Sequence, residues 1–197
     1  MDMKLHTLPA GYLAEVVTYL DMRERPKPAP MPSVPLSINH WNPVDLAKYR
    51  ILFERVGSPW LWYSRLIMPY AELDAIINHD DVDFYAVEDR RGIEIGMIEL
   101  DFREERQCEI QFFGLVPELA GKGYGRWLMM QTLALAWRSD VERVHLHTCT
   151  LDHPNALAFY QKMGFVPRGR AVETFPDPRL AGHLPRDAAP HVPLLET

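Results

Sequence analysis

The sequence has few cysteines and no long hydrophobic segment that is free of charge. Only Cys108 and Cys149 occur among the 197 residues, which argues against a disulfide framework and fits a reducing cytosol. Near the N-terminus, Glu15 and Asp21 interrupt the apolar residues, so we expect neither a signal peptide nor a membrane span. Together these absences predict a cytoplasmic protein.

The sequence also lacks an excess of positive charge. Its 21 Lys and Arg residues are outnumbered by 27 Asp and Glu residues, and the formal net charge is −6. Such a chain has no general attraction to nucleic acid or to an anionic membrane, and it mildly favours cationic partners. Hydrophobic residues make up 47% of the chain, which is typical of a globular domain with a proper core.

The most informative segment begins as a strand. Alternation along this strand predicts that Ile110 and Phe112 point to one face of a sheet. Glu109, Gln111 and Phe113 are then expected on the opposite face.

Pro117 ends this strand, since proline has no N–H to donate to a neighbouring strand. Three glycines follow at alternate positions, Gly121, Gly123 and Gly125. Residues 126–137 then place apolar side chains at three- and four-residue spacing, which predicts a helix.

This order of strand, glycine-rich turn and helix predicts an anion site. The first N–H groups of a helix lack internal partners, and the helix dipole places partial positive charge at the same end. Glycine lets a phosphate approach the backbone, and Lys122 and Arg126 add positive charge. The alternative is a tight turn that needs glycine only for its backbone angles. The spacing matches neither a P-loop nor the dinucleotide-binding fingerprint.

A second segment contains Asn155, Ala158 and Tyr160 and ends with Gly164-Phe165. Together the two segments resemble the GNAT superfamily of acyl-CoA-dependent N-acetyltransferases. The first is similar to its pyrophosphate loop, Gln/Arg-x-x-Gly-x-Gly/Ala. The second is similar to its Asn-x-x-Ala-x-x-x-Tyr-x-x-x-Gly-Phe element, with slightly shifted spacing.

The resemblance is specific from about Tyr85 to Phe165. One departure is Ala120, which stands at the Gln/Arg position of the loop and removes one side-chain contact to a phosphate. The glycine positions are intact.

The resemblance implies an α/β (α+β) GNAT fold. Its mixed, mostly antiparallel central sheet has about six to seven strands, is splayed in the middle and is accompanied by about four helices. We predict strands at residues 12–22, 83–88, 93–102, 109–116, 141–150 and, as a last strand or pair, 165–175. Helices are predicted from Asn42-Pro43 to about Arg55, from Pro69 to about Asn78, over residues 126–137 and after Asn155.

The predicted domain organisation is one GNAT acetyltransferase domain over residues 1–175, with a proline-rich connector at 23–37. The connector is expected to be extended, either as a surface link or as a flap over the acceptor site. Residues 176–197 form a proline-rich C-terminal tail that packs loosely or wraps a neighbour. The aromatic cluster of residues 60–65 is interpreted mainly as core under a loop, with an acceptor-pocket wall as the alternative.

The resemblance implies acetyl-CoA as co-substrate and no metal. The pantetheine arm of CoA would enter the splay between the strand ending at Val116 and the strand ending at Thr150, and pair there like an extra strand. The cofactor-binding residues that it implies are Phe113, Gly114, Leu115, Val116, Ala120, Gly121, Lys122, Gly123, Tyr124, Gly125, Arg126, Asn155, Ala158, Phe159 and Tyr160.

Two residues are the candidate catalytic groups. Tyr160 matches the family tyrosine that acts as general acid at the CoA sulfur, although a core aromatic beside Phe159 would look the same. Glu109 is the leading general base, with a pKa expected to be raised by apolar neighbours, although it could lie on a solvated strand face. Glu99 or a water chain could replace it.

Three further groups leave alternatives open. Asn155 either caps its helix or contacts CoA, and Cys149 could in principle form a covalent intermediate. His145 and His147 alternate with Cys149 on one strand, but any strand produces that spacing, so no metal site is predicted.

The predicted activity is transfer of an acetyl group from acetyl-CoA to an amine by direct attack in a ternary complex. The acceptor is expected to be a small-molecule or peptide amine, and a homodimer is possible. The alternative is a non-catalytic acyl-CoA-binding sensor or interaction module.

Overall fold

The computed structural model of the chain describes residues 4–195. Seven strands are present: β1 (Tyr12–Met22), β2 (Leu36–Trp41), β3 (Val82–Asp89), β4 (Glu94–Asp101), β5 (Gln107–Leu115), β6 (Arg143–Cys149) and β7 (Val166–Pro176). The helices are α1 (Leu46–Gly57), α2 (Ser64–Ile67), α3 (Tyr70–Ile77), α4 (Tyr124–Ala136) and α5 (Ala156–Lys162). None of the helices in residues 4–195 contains an apolar segment of the length that a bilayer span requires.

The strands form one sheet in the order β2-β3-β4-β5-β6-β1-β7. All neighbours are antiparallel except β5 and β6, which are parallel. These two strands pair only from Gln107 opposite Arg143 to Glu109 opposite His145. They then separate, although β5 continues to Leu115. The predicted fold class and the splayed sheet are therefore confirmed.

Two details near the N-terminal half differ from the prediction. Residues 36–41 form an edge strand beside β3 that was not predicted, because a proline-rich segment leads into it. The first helix begins at Leu46, and its N-cap is Asp45, whose carboxylate accepts hydrogen bonds from the N–H groups of Ala47 and Lys48. The predicted helix start at Asn42-Pro43 is therefore wrong.

The two faces of the sheet carry separate cores. On one face, α4 packs over a cluster that includes Leu100, Ile110 and Leu128, and this surface is called the α4 face. On the other, α1 and α3 cover a cluster around Phe53 and Phe84, called the α1 face. Side chains from both the α4 face and the α1 face line the cavity described below.

A β-bulge in β5 decides which side chains reach which face. Leu100 is opposite Ile110, but Glu99 is opposite Phe112, so one extra residue of β5 lies between them. Ile110 accordingly packs in the cluster on the α4 face, and Phe112 packs on the α1 face. The prediction that these two side chains share a face is wrong, because a bulge breaks the two-residue alternation.

The segment after β7 is firmly packed. Leu184 and Ala189 join a third cluster with Leu61 and Phe175. Arg179, which is 2% exposed, pairs with Asp177 and donates hydrogen bonds to the carbonyl oxygens of Ala188 and Val192. The expectation of loose packing is therefore wrong, while the predicted division at residue 175 stays a prediction.

Candidate active site

A cavity of about 1270 Å³ lies where β5 and β6 separate. Its wall includes side chains of both strands, of α4 and α5, of the aromatic segment 60–64 and of the proline-rich segment 25–31. All the cofactor-binding residues implied by the resemblance line this cavity except Lys122 and Ala158. The structure thus brings the glycine-rich turn and the Asn155 segment together around one space.

The glycine-rich turn forms an open cradle at the start of α4. Gly121 and Gly123 have φ angles of 73° and 79°, a region that residues with a side chain rarely adopt. A Cβ atom at either position would meet no atom within 4 Å, so the backbone is accessible from the cavity. Gly123 is the N-cap of α4 and provides no side-chain cap. The first N–H groups of α4 are therefore available to an anion.

The edge of β5 forms a second part of the wall. Phe113, Gly114 and Leu115 line the cavity, and within residues 4–195 no strand lies beside β5 on the β6 side beyond Glu109. The N–H of Val116 is already used, because it donates to the carbonyl oxygen of Ile95 at 2.9 Å. An extended ligand can hydrogen-bond this open edge as an added strand would.

Tyr160 lies in α5 among aromatic side chains. Its ring centroid is 5.5 Å from that of Phe159, 6.2 Å from that of Phe113 and 6.2 Å from that of Phe165. Burial, and then the negative charge of Asp152, raises the pKa of the Tyr160 hydroxyl above its usual range. Tyr160 also lines the cavity, so a phenol that stays protonated borders this space.

Glu109 lies behind the cavity wall, where β5 and β6 are still paired. Its Oε1 is 3.4 Å from Nδ1 of His147, a residue that does line the cavity. The hydrogen bond from His147 outweighs burial and lowers the pKa of Glu109, with the charges of His145 and His147 adding to it. The expectation of a raised pKa is wrong because the neighbours on this face are histidines rather than apolar side chains.

Glu99, the alternative base, lies in the core away from the cavity. It is 1% exposed and accepts hydrogen bonds from Tyr49 Oη at 2.6 Å and from Arg65 Nη2 at 2.5 Å. Burial raises its pKa despite the charge of Arg65. These contacts make Glu99 part of a buried polar network rather than a group that reaches an acceptor.

Asn155 and Cys149 both line the cavity. Asn155 is the N-cap residue of α5 but makes no side-chain cap; its N–H instead donates to His153 Nδ1 at 3.1 Å. The capping interpretation is therefore wrong. Burial, and then the charge of Asp152, raises the pKa of the Cys149 thiol, which keeps it protonated and weakly nucleophilic.

The wall also contains residues outside the predicted catalytic and cofactor-binding sets. Trp62 donates from Nε1 to Asp152 Oδ1 at 3.2 Å, and both residues line the cavity. In the same segment Leu61 is buried, so the cluster of residues 60–65 serves both the core and the wall. Glu15 of β1 and Glu173 of β7 also reach the cavity. Only the pairing of these distant strands brings the two carboxylates to one place.

Charges of opposite sign on the wall come from different elements. The carboxylates of Glu15 and Glu173 belong to strands β1 and β7, beyond β6. Arg126 lies in the first turn of α4, and Lys162 ends α5. The residues at the glycine cradle therefore suit an anion, and those of β1 and β7 suit a cation. Across residues 4–195, no group of three or more His, Cys, Asp or Glu side chains could hold a metal ion.

Comparisons with known proteins agree with this geometry. The model of the acetyltransferase (GNAT) family matches residues 49–165. The chain is 30% identical over 121 residues to spermidine N(1)-acetyltransferase from Vibrio cholerae serotype O1, an alignment that covers 58% of this chain and 69% of that protein.

Solved structures give the same fold. Spermidine N-acetyltransferase from Vibrio cholerae in complex with CoA and spermine superposes with a TM-score of 0.55 at 25% identity, covering 68% of this chain and 83% of that one. A GCN5-related N-acetyltransferase from Sphaerobacter thermophilus superposes with a TM-score of 0.63 at 15% identity, which supports the fold alone. The match covers 84% of this chain, and this chain spans 53% of that structure.

Proposed function

Because the chain belongs to the GNAT family of acetyltransferases, we propose that it transfers an acetyl group from acetyl-CoA directly to a small cationic amine, with both substrates held in the one cavity. The chain is an acetyl-CoA-dependent N-acetyltransferase, and its acceptor is an amine. The direct transfer, the class of amine and the residue roles below are the parts that we propose.

The donor side is proposed to be the glycine cradle and the open edge of β5. The pyrophosphate of acetyl-CoA would accept hydrogen bonds from the first N–H groups of α4, near Gly123. Its pantetheine arm would extend along Phe113 to Leu115, and the acetyl group would then lie at the gap between β5 and β6. Ala120 would contribute no side-chain contact to the phosphates.

The acceptor side is proposed to be the wall that carries Glu15 and Glu173. An alkyl amine has a pKa of about 10.4 and is a cation at neutral pH, so carboxylates favour its binding. Trp62 and Tyr63 line the same cavity and can cover the apolar part of such a ligand. The Vibrio cholerae relative is named for spermidine, a polyamine, which makes a small polyamine the acceptor class to test first.

The proposed reaction needs no covalent enzyme intermediate. The amine loses a proton and attacks the thioester carbonyl, a backbone N–H near Gly114 or Leu115 stabilises the oxyanion, and the CoA sulfur departs. Tyr160 would donate a hydrogen bond to that sulfur. Its raised pKa keeps the phenol protonated, which suits stabilisation of the departing thiolate by a hydrogen bond.

The observation that carries the proposal is that a single cavity connects the glycine cradle, Tyr160 and the two carboxylates through the gap in the sheet. The first test is calorimetric titration with acetyl-CoA, for which we expect a micromolar Kd, about −8 kcal/mol. Gly123→Glu should abolish binding. Gly92→Glu is the matched control, because Gly92 also has a positive φ (75°) and open space but lies in the β3–β4 turn.

The second test follows release of CoA and formation of acetylated product, by mass spectrometry, with spermidine, spermine, a simple monoamine and a peptide N-terminus as acceptors. We expect turnover with the polyamines and intersecting initial-rate lines for the two substrates, as direct transfer requires. Parallel lines would contradict direct transfer and favour an acetyl-enzyme. Acetyl-CoA binding without acetylation of any amine would instead support the non-catalytic sensor.

A further inference from the structure

His147 occupies a distinctive place at the gap in the sheet. The last paired residues of β5 and β6 are Glu109 and His145, and His147 is the next residue of β6 on the same face. It therefore lies at the point where the two strands separate, and it lines the cavity, with 41% of its side chain exposed. The activity described above assigns it no role.

Glu109 lies beside the imidazole of His147. The Nδ1 atom is 3.4 Å from Glu109 Oε1, within ion-pairing distance when the ring is protonated. When Nδ1 carries the proton, Nε2 of the neutral ring has a free lone pair. The carboxylate also stabilises the imidazolium that forms when Nε2 takes a second proton. A carboxylate beside Nδ1 in this way is the arrangement that supports histidine as a general base in catalytic triads.

We propose that His147 is the general base that takes the proton of the acceptor amine, and that Glu109 acts through it as a positioning residue. The inference rests on the proposed function. The amine enters as an ammonium ion, so one of its protons first passes to His147 Nε2 and from there to solvent. The freed nitrogen lone pair then forms the N–C bond with the carbonyl carbon. The C–S bond breaks with its electron pair on sulfur, and the second proton that nitrogen loses is transferred to that sulfur, which yields the amide and free CoA.

The carboxylates of the acceptor side are placed less well than His147 to remove the proton of the amine. Glu15 and Glu173 lie on β1 and β7, beyond β6, whereas His147 belongs to a strand that borders the gap. Burial also raises the pKa of the Glu15 carboxyl. These carboxylates therefore suit binding of the cation, and His147 suits proton removal at the transferring end.

The pH behaviour follows from the groups that face His147. These are Glu109 of β5, Glu15 and Tyr19 of β1, Asp152 after β6 and, on its own strand, His145. The hydrogen bond to Glu109 raises the pKa of His147 against the opposing effect of burial, and the charges of Glu109, Asp152 and Glu15 add to the rise. Since the base acts only when neutral, kcat should fall as pH drops through this raised pKa.

The test compares kcat across pH, at saturating acetyl-CoA and amine, for the wild type, His147→Gln, Glu109→Gln and His145→Gln. We expect His147→Gln to lower kcat by about 100-fold or more and to remove the fall in kcat at acidic pH, which is called the acidic limb of the pH profile. Glu109→Gln should lower kcat and move the limb to lower pH, because a negative charge next to the ring is lost. His145→Gln is the matched control, because His145 lies on the same strand and face but does not line the cavity.

Acetyl-CoA calorimetry on each variant shows that it is folded, and added imidazole should partly restore His147→Ala but not change His145→Ala. An unchanged kcat and an unchanged acidic limb in His147→Gln would overturn the role of His147. A limb that stays in place in Glu109→Gln would overturn the role of Glu109. Absence of turnover in the wild type would instead overturn the proposed function, so the two failures are distinguishable.

Discussion

Glu15 of β1 lies directly opposite Glu173 of β7, and both side chains line the cavity. Burial raises the pKa of Glu15, and the charges of Glu173 and Asp152 raise it further, although a hydrogen bond from Cys149 opposes this. Like charges in directly opposed strand positions destabilise a sheet. A cation placed between the two carboxylates would remove this repulsion, which is what the proposed amine acceptor provides.

The first prediction concerns this carboxylate pair. Glu173→Gln should raise KM for a polyamine by about tenfold and leave acetyl-CoA affinity unchanged, because a charged partner of the acceptor is lost. The same change should stabilise the unliganded protein by about 0.2–1 kcal/mol, since the repulsion is relieved. Steady-state kinetics and urea unfolding measure both effects. Glu105→Gln, at an exposed position in the β4–β5 turn, is the control, and equal KM values for the two variants would contradict the prediction.

The second prediction concerns Tyr160. Tyr160→Phe should lower kcat by about 100-fold, because the departing thiolate loses its hydrogen-bond donor. The Kd for acetyl-CoA should hardly change, since the ring still packs against Phe159. Tyr70→Phe, an exposed tyrosine outside the cavity, should keep the full rate. A Tyr160→Phe enzyme with wild-type kcat would show that the hydroxyl takes no part.

The third prediction concerns the buried ion pair of Arg65 and Glu99, whose side chains are 8% and 1% exposed. Arg65→Met should cost about 3–5 kcal/mol, because the Glu99 carboxylate would remain buried without its partner. The double variant Arg65→Met/Glu99→Leu should recover much of that loss in urea unfolding.

The control for this pair is Arg103→Met, which removes the partner of Asp101 at the surface, where Arg103 is 41% exposed. Its cost should be at most about 1 kcal/mol. A similar cost for the buried and the exposed pair would show that burial does not govern the contribution of Arg65.

The fourth prediction concerns the segment after β7. Arg179→Met should cost about 3 kcal/mol and expose residues 177–195 to proteases, because Asp177 and the carbonyls of Ala188 and Val192 lose a buried donor. Thermal unfolding and limited proteolysis measure the two effects. Arg170→Met, at an exposed position of β7, should change neither. Protease resistance retained in Arg179→Met would contradict this role.

The fifth prediction is a pH dependence of stability at Asp21. Burial alone would raise its pKa, but the hydrogen bond from Arg168 and the charges of Arg168, Arg23 and Arg143 outweigh burial and lower the pKa. The folded-state pKa therefore lies below the unfolded value of about 3.9. The stabilisation is present above that value and is lost as pH falls through the lower, folded-state pKa.

Asp21→Asn should accordingly cost about 1–3 kcal/mol at pH 7, and the difference from wild type should shrink in strongly acidic solution. Urea unfolding measured from pH 7 down to the acid range checks this. A difference that stays constant over the whole range would mean that ionisation of Asp21 does not stabilise the fold.

The elements with strong local signals could be predicted from the sequence. The bounds of β1 and the sequence of elements from β3 to α5 follow from alternation, helical spacing and turn residues. Gly121 and Gly123 were expected to form an anion cradle, and both indeed have positive φ and an open approach. Such features depend on residues that are neighbours in the chain, so they could be predicted from the sequence.

Features that depend on distant partners could not be predicted. The bulge that separates Ile110 from Phe112 is defined only by pairing with β4. The lowered pKa of Glu109 depends on His147 in another strand. Neither partner is marked by any pattern within β5.

The sequence by itself thus determined the family and located the glycine-rich turn and Tyr160, because short segments carry these features. Only the tertiary structure decided which side chains line the proposed acceptor side. It inserts β1 between β6 and β7 and so brings Glu15, His147 and Glu173 to one cavity. The physical reason is that hydrogen bonds between strands and packing across the sheet join residues far apart in the chain, and no local pattern records which strands will pair.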